Sequence, residues 1–137
     1  MSGKSASMPV IFRASARWTE FEVAAGLCYS TGEPYEVRLE FGPGLEKPVV
    51  WRFARGLLAE GLSGQAGDGD VEVWPSADGL DVVIGLRSPD GTVELTANAL
   101  SVARFLEATY CLVAAGAEPA RTDLDAGIAA ILTWGAS

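Results

Sequence analysis

The sequence predicts an α+β domain in which antiparallel sheets come first and C-terminal helices follow. Apolar residues recur at every second position in most segments before residue 98, as in strands with one buried face. After residue 98 they recur at helical spacing. This order argues against the regular strand–helix alternation of a Rossmann-type parallel sheet.

The N-terminal part predicts two strands after a short tail. Residues 1–8 are rich in Ser, Ala and Gly and are assigned to a disordered tail, so one domain is expected over residues 9–134. The alternation over residues 10–16 predicts a first strand with one firmly apolar face. Residues 21–27 predict a second, irregular strand, and the STGEP segment after it has the composition of a turn.

The central segment, residues 34–75, organises the rest of the prediction. Residues 36–41 and residues 49–54 alternate and predict two strands. The spacing becomes helical over residues 55–62, which predicts a short helix or a single turn. After a glycine-rich hinge, residues 71–75 alternate again. Strand, strand, helical turn and strand are therefore expected to form one packed unit.

A hairpin and two helices complete the prediction. Residues 82–86 are nearly all apolar, the turn sequence SPDGT follows, and residues 92–97 close the hairpin. Asn98 can cap a helix that ends at Gly116, because a glycine can adopt the left-handed conformation that stops a helix. Thr122 can cap a last helix.

The composition restricts the classes of function. The formal net charge is −8 and the ten basic residues are scattered, whereas nucleic-acid binding needs clustered Lys and Arg. No histidine is present, which removes the commonest general base and metal ligand. No segment approaches the roughly 20 apolar residues of a membrane span, so a cytoplasmic protein without membrane insertion is expected. Cys28 and Cys111 are expected to be buried thiols of a reducing compartment.

The candidate reactive groups all have simpler interpretations. Four aspartates lie around glycine-rich turns, at spacings that do not match a calcium loop: Asp68, Asp70, Asp78 and Asp81. We interpret them as solvated turn carboxylates. Cys28 has no histidine to activate it and is interpreted as a core residue. We therefore expect no catalytic residue, no metal and no cofactor.

Two features remain as candidates for binding. The four tryptophans could stack bases, although packing is the interpretation that we favour; they are Trp18, Trp51, Trp74 and Trp134. Arg52 and Arg55 flank the predicted strand-to-helix junction, where they form either a solvated pair or a docking spot for an acidic partner.

A docking surface is placed at this junction and at the linker between the two C-terminal helices. A strand-to-helix corner exposes side chains on a rigid frame, and a glycine between helices sets their relative angle. The predicted partner-binding residues are Arg52, Arg55, Glu60 and Gly116.

Five segments between residues 24 and 132 carry a resemblance to a known family. They read AGLCYSTGEPYEVRLEF, VVWRFARGLLAEGL, GDGDVEVWPS, LRSPDGTVELTANALSVARFL and TDLDAGIAAIL. In this order and spacing they resemble the SsgA-like proteins, a family of small actinobacterial regulators of sporulation-specific cell division. The chain departs from the family at Gly56, where an acidic residue is common.

The resemblance implies a non-enzymatic regulator that acts by recruitment. Family members of the SsgB type bring the tubulin-like protein FtsZ to future septum sites, partly through other members. FtsZ and other SsgA-like or septum proteins are therefore the implied partners, and the division septum is the implied place of action.

The resemblance also implies a fold similar to the Whirly and guide-RNA-binding proteins, assembled as a homotrimer. Those relatives bind single strands, so single-stranded nucleic-acid binding is the alternative function. The acidic charge predicts that this chain binds no nucleic acid. An enzyme that uses scattered carboxylates is a third hypothesis, which lacks a matched acid and base.

Overall fold

The computed structural model describes residues 3–42 and 47–117. Within these ranges the chain forms seven strands and two helices. They are β1 (Ser5–Ala16), β2 (Thr19–Ser30), β3 (Glu36–Phe41), β4 (Val49–Ala54), α1 (Arg55–Gly61), β5 (Val71–Pro75), β6 (Asp81–Ser88), β7 (Gly91–Asn98) and α2 (Ala99–Leu112). The predicted α+β class is confirmed.

All seven described strands belong to one antiparallel sheet with the order β4-β3-β2-β1-β7-β6-β5. Two meanders therefore meet where β1 pairs with β7. The prediction that the two central strands, the helical turn and the next strand pack as one unit is confirmed by a core cluster that contains Leu39, Phe53, Leu58 and Val73, although β4 and β5 lie at opposite edges of the sheet. Helix α1 packs against both edge strands, so the sheet curls around it.

The longest hairpin joins β1 and β2, which pair continuously from Ser5 opposite Ser30 to Ala16 opposite Thr19. The strand thus starts at Ser5, inside the segment assigned to a disordered tail. Residues 5–8 continue the alternation of β1, because Ala6 and Met8 pack against the core, and β2 supplies their partner strand. For the same reason β2 is a regular strand along its whole length.

The core lies between one face of the curled sheet and the two helices. The largest fully buried apolar side chains come from six strands and both helices: Phe12, Leu27, Tyr29, Val37, Leu39, Leu58, Val73, Val82, Ile84, Leu95 and Val102. They form one contiguous cluster. Neither helix in the described ranges has the length and apolar character that a membrane crossing requires.

Helix α2 begins where the sequence predicts and ends earlier. The Asn98 side chain accepts a hydrogen bond from the Ser101 backbone N–H at 3.0 Å, which confirms the predicted cap. The last helical residue is Leu112, whereas the prediction placed the end at Gly116. Gly116 does have a positive φ of 82°, in a turn beyond the helix. Thr122 and the last predicted helix lie outside the described residues.

Candidate functional site

Helix α1 starts directly at the end of β4, and Arg55 stands at this corner. Ala54 has extended backbone angles, and Arg55 is the first helical residue. The Arg55 backbone N–H donates to the Tyr35 carbonyl at 2.7 Å, which ties the corner to the chain before β3. The Arg55 side chain points inward and is only 1% exposed.

The Arg55 guanidinium closes the C-terminal end of α2. Its Nη1 donates to the Thr109 carbonyl at 3.1 Å and to the Val113 carbonyl at 2.7 Å. Carbonyls in the last turn of a helix lack some of their helical donors, and the negative end of the helix dipole favours a cation. Arg55 therefore acts as a cap that α1 supplies to α2. We call these two hydrogen bonds the Arg55 clasp.

Two tyrosine rings flank the same guanidinium. The Arg55 Cζ lies 4.9 Å from the ring centre of Tyr29 and 4.0 Å from that of Tyr110, within the range of cation–π contacts. The Tyr29 hydroxyl donates to the Pro34 carbonyl at 2.9 Å. Strand β2, helix α2 and the turn before β3 thus converge on one arginine.

The structure divides the four predicted contact residues into two kinds. Arg55 is buried, so its side chain forms neither a solvated pair with Arg52 nor a surface docking spot. Its guanidinium instead contacts backbone carbonyls inside the protein. Arg52, Glu60 and Gly116 are exposed. Gly116 lies three residues after Val113, whose carbonyl accepts a hydrogen bond from Arg55.

Arg52 takes part in a network of ion pairs. Its Nη1 lies 2.6 Å from Glu36 and 3.3 Å from Glu33, while the neighbouring Arg38 contacts Glu40 at 3.2 Å and Glu33 at 3.7 Å. The hydrogen bond that Arg52 donates to the Glu36 carboxylate raises the pKa of Arg52 above its ordinary value. Three carboxylates already compensate two guanidinium groups, so this surface does not attract an acidic partner.

The two cysteines and the candidate metal ligands are also described by the structure. Both cysteines are free thiols; Cys28 is half-buried, and Cys111 is exposed, so the prediction of a buried thiol is wrong for Cys111. Burial raises the pKa of the Cys28 thiol, and the Glu40 carboxylate raises it further, which leaves little thiolate at neutral pH. No group of three or more Asp, Glu or Cys that could hold a metal ion occurs in the described part of the chain.

Asp78 is a turn carboxylate, as predicted. It accepts hydrogen bonds from the Ser76 hydroxyl at 2.7 Å and the Leu80 backbone N–H at 2.9 Å, and these bonds lower the pKa of Asp78.

The tryptophans do not share one environment. Trp51 and Trp74 are half-buried, whereas Trp18 is fully exposed at 104%. Packing is therefore the wrong interpretation for Trp18. Trp134 lies outside the described residues.

Sequence reasoning missed the burial of Arg55, although a signal was available. The buried residues of α1 are Arg55, Leu58 and Gly61, so the arginine occupies the same helical face as an apolar residue three positions later. A cation on the apolar face of a short helix indicates a buried partner.

A family model described as the Streptomyces sporulation and cell division protein, SsgA, matches residues 23–118. The chain belongs to the SsgA family. The matched range contains the whole corner, the Arg55 clasp and Gly116, and it begins after Trp18. The resemblance found in the sequence is thus confirmed.

The SsgA-family relatives include sporulation-specific cell division proteins named SsgB. The chain is 47% identical over 112 residues to SsgB of Streptomyces coelicolor, covering 80% of this chain and 82% of the relative. It is 44% identical over 109 residues to SsgB of Thermobifida fusca, covering 78% and 79%.

Solved structures of SsgA-family proteins have the same fold. The crystal structure of an SsgA-like sporulation-specific cell division protein from Thermobifida fusca YX-ER1 superposes with a TM-score of 0.79 at 39% identity, covering 94% of this chain and 96% of that chain. A structure from a study in which mutations in SsgB correlate to longitudinal cell division during sporulation of Streptomyces coelicolor gives 0.76 at 41% identity, covering 85% and 94%.

Proposed function

We propose that this SsgA-family protein is a non-enzymatic regulator of sporulation-specific cell division that helps to recruit or position FtsZ at septum sites. The names of its relatives support a role in sporulation septation. The proposal assigns no catalytic residue, cofactor or metal, and the protein acts by protein–protein contacts. Other SsgA-like or septum proteins are further partners, through which a cytoplasmic protein reaches the septum.

The rigid corner is the observation that carries this proposal. The Arg55 clasp holds the end of β4, the start of α1 and the end of α2 together by hydrogen bonds of 2.7 to 3.1 Å. Exposed groups on such a frame can bind a partner with little loss of conformational entropy. We place the contact surface at the exposed residues Arg52, Glu60 and Gly116, with Arg55 as the residue that holds the surface in shape.

The proposal includes a homotrimer with a Whirly-like assembly. Three copies would repeat the corner surface, so weak contacts would gain avidity on a polymeric partner. Light scattering in solution tests this part. We expect a mass three times the 14.3 kDa of one chain, and a concentration-independent mass of one chain would contradict it.

Single-strand binding has less support from the surface. Phosphate binding needs cations that are free to release counterions. Four surface arginines instead contact carboxylates within 4.0 Å: Arg13, Arg38, Arg52 and Arg87. A filter-binding titration at two salt concentrations separates the two functions, because phosphate contacts weaken steeply with salt.

Co-pelleting with FtsZ polymers tests the main proposal. We expect the wild-type chain to pellet with FtsZ and to change its light scattering at micromolar concentration. Glu60→Arg, at the corner, should weaken this binding. Glu107→Arg is the matched control, since Glu107 is also an exposed glutamate on a helix. The absence of any binding by the wild-type chain would refute the proposal.

A further inference from the structure

The core face of the curled sheet is covered near α1 and is open at the other end of β4. On β4 the exposed fraction of the core-facing side chains rises from 7% at Phe53 to 53% at Val49. On β2 it rises from 4% at Ala25 to 47% at Phe21. Side chains two positions apart on a strand lie on the same face of a sheet, so these exposed residues continue the core face. The apolar inside of the sheet therefore reaches solvent at this end.

A cavity of 210 Å³ lies at the open end of the sheet, and we call it the mouth. Its wall comes from the end of β1, from β4 and from the hairpin of β6 and β7, so only the curl of the sheet brings the lining residues together. The apolar wall contains Ala16, Trp51, Leu86 and Val93, and the exposed residues Arg17 and Asp90 lie at the rim.

The size of the mouth restricts what can occupy it. An apolar cavity of roughly 150 Å³ in a protein core can take up a benzene molecule. Sites for whole small-molecule ligands are larger, at about 300–1,000 Å³. The mouth therefore fits one bulky apolar side chain better than a complete small ligand, which favours a segment of another protein as its occupant.

Arg17 supplies a cation at the rim of the mouth. Its Nη2 donates to the Asp90 carbonyl at 2.7 Å, which holds the guanidinium beside the cavity. In the described part of the chain no carboxylate oxygen lies within 4.0 Å of the Arg17 nitrogens, in contrast to the four paired surface arginines named above. The remaining donors of Arg17 are therefore available to a carboxylate that enters with an apolar group.

The nearby acidic residues do not neutralise Arg17 by direct contact. Glu20 and Glu94 are both opposite Ser15 in the register of the sheet, which places them on the outer face, away from the mouth. Asp90 is the one carboxylate among the described lining residues, and it forms no ion pair with Arg17 within 4.0 Å. A ligand with a carboxylate at the rim would thus meet an uncompensated guanidinium.

We infer that the mouth is a docking site for one bulky apolar side chain of a partner protein, and that a carboxylate next to that side chain pairs with Arg17. An apolar anchor in a pocket dominates the binding energy of many protein interfaces. The mouth lies around Trp51, whereas the corner lies at the other end of β4, so the two are separate contacts. The inference does not depend on FtsZ as the partner.

N-acetyl-phenylalanine is a probe that carries both proposed groups, and its amide is the uncharged control. Nuclear magnetic resonance of the full chain follows the indole N–H of Trp51 and the backbone N–H of Val93 during each titration. We expect both signals to shift with the acid, with a dissociation constant in the millimolar range that suits so small a ligand. The amide should bind about threefold more weakly, because an exposed ion pair contributes little energy.

A variant that fills the mouth tests its place in the fold. Ala16→Phe puts a ring of the chain's own into the cavity, and Ser15→Phe is the matched control on the outer face. Ala16→Phe should abolish binding of both compounds, while Ser15→Phe should bind within about twofold of the wild type. The mouth opens to solvent, so Ala16→Phe should retain a melting temperature within a few degrees of the wild type.

A second variant tests the cation without filling the mouth. Arg17→Gln keeps a donor for the Asp90 carbonyl and removes the charge. It should lower the affinity for the acid to that for the amide and leave the affinity for the amide unchanged. Arg104→Gln is the control, because Arg104 is also exposed and has no carboxylate within 4.0 Å in the described ranges. This control should keep the preference for the acid.

Three outcomes would overturn the inference. An absence of shifts at Trp51 and Val93 with either compound would mean that the mouth is not open in solution. Equal binding of acid and amide would remove the carboxylate from the chemistry of the partner. A lower mass of Ala16→Phe in light scattering, at unchanged binding of the acid, would assign the mouth to a second copy. None of these results bears on the corner, so the proposed function is decided separately by FtsZ pelleting.

Discussion

The guanidinium of Arg55 lies 2.7 Å from the carbonyl oxygen of Val113, so the first residue of one helix caps the end of the other. A buried cation is costly unless it is well paired, and here carbonyl oxygens and two tyrosine rings replace water. The same contact couples the strand-to-helix corner to the turn that contains Gly116. The stability of the domain and the shape of the proposed contact surface therefore depend on one side chain.

Replacing Arg55 should destabilise the protein far more than replacing Arg52. Arg55→Ala removes the donor of the buried Val113 carbonyl and one of the two donors of the Thr109 carbonyl, and it opens a cavity, so we expect the free energy of unfolding to fall by about 3 kcal/mol. Arg52→Ala removes only exposed ion pairs and should have a much smaller effect. Urea unfolding followed by circular dichroism measures both. Equal effects of the two variants would show that the clasp contributes little.

Two glycines of α1 should respond to alanine in opposite directions. A Cβ on Gly61 would collide with the Val73 side chain and reach 3.0 Å from the Val73 backbone, so Gly61→Ala should cost about 1–3 kcal/mol. A Cβ on Gly56 would meet nothing within 4 Å, so Gly56→Ala should stabilise the helix by about 0.5–1 kcal/mol. Thermal unfolding compares them, and a neutral Gly61→Ala would show that α1 packs less closely on β5.

The cost of substituting Gly116, in free energy of unfolding, should depend on its backbone conformation alone. Its φ is 82° and a Cβ there would meet nothing within 4 Å, so the cost arises from the left-handed backbone and not from a clash. Gly116→Val should lower the free energy of unfolding by about 1–2 kcal/mol. Gly116→Asn should cost less, because asparagine adopts this conformation more readily. Thermal melting of both variants measures the difference.

The same pair of variants tests the role of Gly116 in the proposed contact surface. If the turn belongs to that surface, Gly116→Val should also alter FtsZ pelleting while the domain remains folded. A large loss of thermal stability in both variants would instead identify the glycine as a residue needed for folding.

The two thiols should react at different rates with iodoacetamide. Cys111 is exposed, whereas Cys28 is half-buried and its pKa is raised by burial and by Glu40. Because the thiolate is the nucleophile, a raised pKa lowers its fraction at pH 8, and Cys28 should react only as the pH rises further or the protein unfolds. Mass spectrometry of the modified peptides measures the order. Faster reaction of Cys28 would contradict the burial of its thiol.

The sequence was sufficient for most of the local structure. Alternation predicted the strands, Asn98 predicted the start of α2, and the change of spacing after Ala54 predicted α1. These features depend on residues close together in the chain, where propensity and side-chain period act directly. The family resemblance also followed from the sequence alone, since it rests on motifs and their spacing.

The tertiary structure alone decided which strands are neighbours and which side chains are buried. Residues 5–8 became a strand because β2 was there to pair with them, and β4 and β5 separated to opposite edges. Arg55 became a buried cap because its acceptors, 54 and 58 positions away in the chain, meet it only in the folded state. Trp18 became exposed because the hairpin extends beyond the core. Burial and pairing are properties of contacts between distant segments, and local patterns do not contain them.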